Sequence, residues 1–253
     1  MAATPSAKLH PKEHGAYAIL GIPIVAALIA VGATVNGVCV AIASVSGFFA
    51  HEPLLVAVGH RGRRAQTSTP QARSRLIFLL TGMGIAGGTA MLLGNLEVRV
   101  SLVVCLGLAV GTFAFGIVGK HRSIAVQLLG VVGLSSPCVP ILLAGDMPLV
   151  DALTTWAAWL VGFSSTTVAV RSVIASQKRH SRVGYIVTLV GISSAIALWA
   201  TFAVYWPMVT LPMVAMSWYL MITPPPMKQI RRVGWALVFG TFATAVLVIY
   251  FIG

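Results

Sequence analysis

Residues 36–64 read NGVCVAIASVSGFFAHEPLLVAVGHRGRR. Everything from Gly37 to Ala50 is apolar or small, His51-Glu-Pro53 interrupts the run, LLVAVG resumes it, and three arginines close it. At 1.5 Å per residue, roughly 20 such residues cross about 30 Å of hydrocarbon. Lipid offers no partner to backbone N–H and C=O groups, so the stretch must satisfy them internally as a helix. The arginines at its end mark the side that stays in the cytoplasm.

The rest of the chain repeats this unit. Nine apolar runs are legible, at about 16–34, 36–59, 76–94, 99–118, 124–144, 152–171, 183–203, 207–223 and 234–252. Thr34–Asn36 leaves room only for a hairpin, so the first two runs are expected to be antiparallel neighbours. Pro207 and Pro212 shorten the eighth run, and Pro224–Pro226 end it. Of 253 residues, 58% are hydrophobic and 9% charged, and the mean hydropathy is +0.94. Soluble domains carry roughly a quarter charged residues, so an ordinary soluble enzyme is excluded. The expected fold class is all-α, a polytopic transmembrane helical bundle of about nine spans forming a single domain over 1–253.

The net charge of +12 would suggest nucleic acid in a soluble protein. Here the bases punctuate apolar runs, so no nucleic-acid partner is expected. Threading the chain with its N-terminus in the cytoplasm puts the even-numbered connections inside. Lys8 and Lys12 precede the first run, and Arg61, Arg63, Arg64, Arg73 and Arg75 follow the second. Lys120 and Arg122 follow the fourth, Arg171, Lys178, Arg179 and Arg182 the sixth, and Lys228, Arg231 and Arg232 the eighth. Only Arg99 of the 17 basic residues falls outside, with Glu97, Asp146 and Asp151. This asymmetry predicts nine spans, N-terminus in and C-terminus out, in the inner cell membrane. The first run has no cleavage site after a short apolar core and reads as a retained span.

Aromatic residues follow the same layout. Trp156, Tyr205, Trp206 and Tyr250 fall at expected outer ends, and Tyr17, Trp218, Tyr219 and Trp235 toward inner ends, where amphipathic rings are favoured. Trp159 and Trp199 lie deeper and read as packing residues. Gly84 with Gly88, and Gly107 with Gly111, have the four-residue spacing that lets helices approach closely or oligomerise. Cys39, Cys105 and Cys138 are odd in number and far apart, so no disulfide or zinc framework is expected.

Chemistry is harder to read. His51 and Glu52 sit at a proline inside an apolar run, and Pro53 should kink the helix by freeing the Phe49 carbonyl. His14 opens the first run in PKEHGAY, residues 11–17. These groups either snorkel to the headgroups or share a polar pocket between the first two spans. No spacing matches a recognised metal motif. Ser164, Thr167, Arg171 and Lys178 recur on one helical face of the sixth run. Arg171 lies about 20 residues past Asp151, at the inner boundary, and its donor fork suits a phosphate. Ser135-Ser-Pro-Cys-Val-Pro140 in the fifth run is either a simple kink or a cavity-lining break.

PKEHGAY running into an apolar span with Pro23 resembles the opening of the YwiC-like membrane proteins, with Tyr17 where Trp is more usual. His51-Glu-Pro-Leu-Leu55 is similar to that family's Glu-Pro-Leu segment, which is also followed by a basic run. The resemblance implies a membrane protein and carries no activity with it. The layout is more distantly similar to the UbiA superfamily of intramembrane prenyltransferases, which has nine helices and active-site loops after the second and sixth spans. That superfamily holds Mg²⁺ with aspartates in those loops, whereas the corresponding loops here contain no Asp. A lone Glu cannot satisfy two hard cations.

The resulting expectation is a cytoplasm-facing basic and histidine pocket for a phosphorylated amphiphile, an isoprenoid or another anionic lipid. Arg75, Arg171 and Lys178 would meet its head, and His14, His51 and Glu52 are the candidates for any proton chemistry. A prenyltransferase-type enzyme, a small-solute transporter, a metal- or haem-binding subunit and a non-catalytic assembly partner are the alternatives. Neither a metal site nor a cofactor is assigned by the sequence.

Overall fold

The computed structural model describes Leu9 and residues 14–117, 124–202, 205–226 and 230–252. Every regular element among the described residues is an α-helix. In chain order these are α1 (His14–Val31), α2 (Val35–Ala57), α3 (Arg63–Ser68), α4 (Gln71–Leu93), α5 (Leu96–Ile117) and α6 (Ile124–Ser135). They are followed by α7 (Cys138–Ala144), α8 (Leu149–Gln177), α9 (Val183–Ala200), α10 (Tyr205–Ile222) and α11 (Ile230–Ile252). Among the described residues, six stretches are long and apolar enough to cross a membrane, by length and composition: Val35–Ala57, Gln71–Leu93, Gln127–Ala144, Leu149–Gln177, Val183–Ala200 and Val233–Ile252. Gly15–Val31 and Trp206–Ile222 are shorter apolar helices.

Local chemistry sets the boundaries. Gly32, at φ 82°, turns the chain out of α1, and the Thr34 hydroxyl accepts from the Gly37 amide at 3.0 Å to cap α2. The Asn95 side chain does the same for Val98 at the start of α5, at 2.9 Å. α2 runs on through Pro53 to Ala57. α10 likewise continues through Pro212. The fifth run is divided at Ser136–Pro137, where α6 stops and α7 begins: Pro137 has no amide to continue the ladder, and here the Ser135 and Ser136 hydroxyls also donate to the Val131 and Gly133 carbonyls.

Three expectations change. α8 extends past residue 171 to Gln177, since no Gly or Pro follows Arg171 and a helix need not end where hydrocarbon does. The second connection contains the short helix α3. The glycine pairs 84/88 and 107/111 do not mediate contacts within the chain, for a Cβ on any of them would meet nothing within 4 Å.

α7 lies at the centre, with Cys138, Ile141 and Leu142 fully buried, and touches α1, α2, α5 and α8. α2 packs on α4, α10 sits between α8 and α11, and α11 closes onto α1. Trp159 is 1% exposed and stacks on Phe163 at 5.6 Å. The periphery is apolar: Phe78 of α4 is 76% exposed and Val187 of α9 is 64% exposed. Water would penalise so much continuous apolar surface, whereas lipid accepts it.

Candidate functional site

The ends of the helices segregate. Val31, closing α1, abuts Gly145 between α7 and α8, and Trp206 and Ile252 gather beside them. The start of α1, the end of α2, the end of α8 and the end of α10 therefore lie at the opposite end, which carries most of the described cations.

Both distinctive motifs meet there. Tyr17 sets its ring edge-on to Phe48 at 5.1 Å and to Phe49 at 5.9 Å, joining α1 to α2. Leu9 is buried against Val56 of α2 and Ala72 of α4. One turn past the aromatics, His51 is half-buried and Glu52 is 4% exposed. Arg61 answers Glu52 with both arms of its fork, Nη2 to Oε1 at 2.5 Å and Nε to Oε2 at 3.3 Å. The return is possible because Gly59 and Gly62 adopt φ of 79° and 92°, a region that favours glycine. Gln66 of α3 fastens the loop by donating to the Ala57 carbonyl at 2.7 Å. Arg75 is half-buried in α4, and Arg63, Arg64 and Arg73 are exposed.

A second cationic group forms where α6 and α9 begin and α8 and α10 end. Arg171 donates through Nε to Gln127 Oε1 of α6 at 2.9 Å. Lys178 is exposed, and its amide caps α8 on the Ile174 carbonyl at 3.1 Å. Gln177 reaches the Pro225 carbonyl at 3.2 Å. Arg182, which sequence reasoning did not single out, donates to Ser172 Oγ at 2.9 Å and also to the Met221 carbonyl. It thereby ties α8, α9 and α10 together. The available signal was a basic residue directly ahead of an apolar run, facing small polar residues on α8.

His51 and Glu52 are consecutive on α2, with Glu52 engaged by Arg61, and Arg171 and Lys178 share the end of α8. The side chain of His14 lies outside the described residues, as do Lys8, Pro11, Lys12, Glu13, His10, Lys120, His121, Arg122 and Lys228. The side chains of Arg231 and Arg232 do too. The expected polar stripe of α8 meets different neighbours along its length. Ser164 lines a groove of about 300 Å³ against α9, Thr167 bonds back to the Phe163 carbonyl at 2.8 Å, and Arg171 meets α6.

The fifth-run break is filled by protein. Ser135, Ser136 and Cys138 are buried, and Ser135 Oγ gives its proton to the Val131 carbonyl at 2.7 Å. It accepts from Trp156 Nε1 at 3.0 Å, which turns that indole inward instead of toward an interface. Among the described residues, no three His, Cys, Asp or Glu side chains are grouped to hold a metal ion.

A family model for YwiC-like protein matches residues 10–142, just over half of the 253. The chain belongs to the YwiC-like family. The matched stretch of this YwiC-like chain runs from the start of α1 into α7 and includes the Tyr17–Phe48–Phe49 junction, Glu52, Arg61 and Gln127. Arg171, Lys178 and Arg182 follow it. No curated protein and no solved structure matches the chain.

Proposed function

We propose that this YwiC-like chain is a nine-span protein of the inner cell membrane, a single transmembrane unit with N-terminus in and C-terminus out. Its cytoplasmic end receives a phosphorylated or otherwise anionic amphiphile. Arg75, Arg171 and Lys178 meet the anionic head, and the apolar helix walls hold the tail. His14, His51 and Glu52 supply hydrogen bonds and any proton exchange.

The observation that carries this reading is the gathering of cationic side chains at one end of the bundle, where Glu52 is already committed to Arg61. Arg suits phosphate because its planar fork donates two parallel bonds. Gln127 accepts from Arg171 Nε, a contact that helps to orient the guanidinium. A carboxylate engaged with Arg61 favours direct anion capture over metal-assisted diphosphate chemistry, which needs several oxygen ligands per cation.

Lipid extracted from gently purified protein tests the reading. A specific anionic lipid should co-purify, and Arg171→Ala with Arg75→Ala should lower its retention about tenfold, the loss of charge-assisted hydrogen bonds. Retention unchanged in that variant, or a lipid profile identical to bulk membrane, would contradict it.

A further inference from the structure

We propose that the cleft at the end of the bundle opposite Arg61 binds a small organic ammonium ion between the Asp151 carboxylate and the Trp206 indole. This site is separate from the proposed anionic-lipid face and does not depend on it.

The cleft has a volume of about 610 Å³, within the range of small-molecule sites. Four segments distant in sequence converge on it: the end of α1, the turn between α7 and α8, the start of α10 and the end of α11. Val31, Met147, Phe251 and Ile252 supply apolar wall, and Asp151 is the one charged residue that lines it among the described residues. Neither the Asp151 carboxylate nor Trp206 Nε1 is engaged in a hydrogen bond or ion pair among the described residues.

The backbone favours positive charge as well. α1, α7 and α11 all end here, and the carbonyl end of a helix carries a partial negative charge. The amides of Gly145, Asp146 and Met147 are turned away, donating to Leu142 and Leu143 carbonyls at 3.1, 3.1 and 3.2 Å. An anion would therefore find no donors in that turn. α8 and α10 begin at the cleft and present the opposite polarity, but Asp151 sits in the first turn of α8 and offsets it. Asp146, exposed at φ 61°, lies in the chain between the lining residues Gly145 and Met147. A carboxylate, a half-buried indole and apolar walls suit an alkylated ammonium, which gains from an aromatic face and from apolar contact together. A bare metal ion would need more oxygen ligands than Asp151 provides.

The ammonium could be a free solute or a zwitterionic lipid headgroup, and two probes distinguish them. The protein is placed in nanodiscs of phosphatidylglycerol, which has no ammonium group, and titrated at constant ionic strength with choline chloride or with glycerophosphocholine. The thermal midpoint and tryptophan fluorescence are read. Saturable binding of choline supports a free cation, and binding of glycerophosphocholine alone supports a headgroup. Asp151→Asn, at an exposed position that should not disturb folding, is expected to raise the half-saturation concentration about tenfold. Trp206→Leu should weaken binding severalfold. No saturable response to either probe, an equal response to uncharged 3,3-dimethylbutanol, or unchanged binding in Asp151→Asn would overturn the proposal.

Discussion

Glu52 shows how one residue constrains the local fold. A carboxylate this deeply buried is tolerated only when paired and hydrogen-bonded, and Arg61, nine residues on, does both at once. Removing Arg61 strands the buried charge, whereas removing both partners does not. We expect Arg61→Ala to cost on the order of 1–3 kcal/mol, the lower part of the range being favoured because water can reach the 39% exposed guanidinium side. Arg61→Ala combined with Glu52→Gln should recover part of that loss. Thermal unfolding of the single and double variants in detergent measures the coupling, and strictly additive effects would contradict it. The sequence marked Glu52 as costly without naming its partner. Arg61 read as one topogenic arginine among several, and only the turn built on Gly59 and Gly62 selects it.

At the scale of elements, the seam between α8 and α10 does most to hold the second half of the chain together. Ala158, Gly162, Ser165, Ala169 and Ser172 are all buried along one face of α8, at steps of four and three. Val209, Met213, Ser217 and Leu220 of α10 face them. The Ser217 hydroxyl lies 3.1 Å from Ser165 Oγ and 2.8 Å from the Met213 carbonyl, and a Cβ on Gly162 would come 2.5 Å from Met213 Sδ. Gly162→Val is therefore expected to destabilise the protein by about 1–3 kcal/mol through overpacking. Gly84→Val on open α4 should leave the unfolding midpoint of the monomer nearly unchanged, and a change in its cross-linked dimer fraction would assign that face to self-association. Equal thermal shifts for Gly162→Val and Gly84→Val would refute the distinction. Trp156→Phe should cost about 1 kcal/mol through the lost bond to Ser135, read as a lowered midpoint. The small residues of α8 carry the same spacing as the pairs at 84/88 and 107/111. Spacing alone does not say which small face meets protein and which meets lipid, because both environments are apolar.

Across the whole molecule, apolar run length and proline position were legible because hydrocarbon thickness and the missing proline amide act locally. The approximate helix positions followed from run length, and the division at Ser136–Pro137 falls within the proline segment marked as a kink or a break, whereas Pro53 and Pro212 lie inside continuous helices. Contacts between distant segments were not legible: Arg171 with Gln127, Arg182 with Met221, or the meeting of Val31, Asp151, Trp206 and Ile252 around one cleft. Each depends on which helices become neighbours, and hydropathy is nearly blind to that when helices are apolar all round. The central claim is that the two cationic clusters share one aqueous compartment, and accessibility to a membrane-impermeant thiol reagent tests it most directly. In a background with Cys39, Cys105 and Cys138 replaced by Ala, single cysteines at Arg64 and Arg179 should react only from the cytoplasmic side, and one at Asp146 only from the opposite side. Labelling of Arg64 and Arg179 from opposite sides would contradict the account.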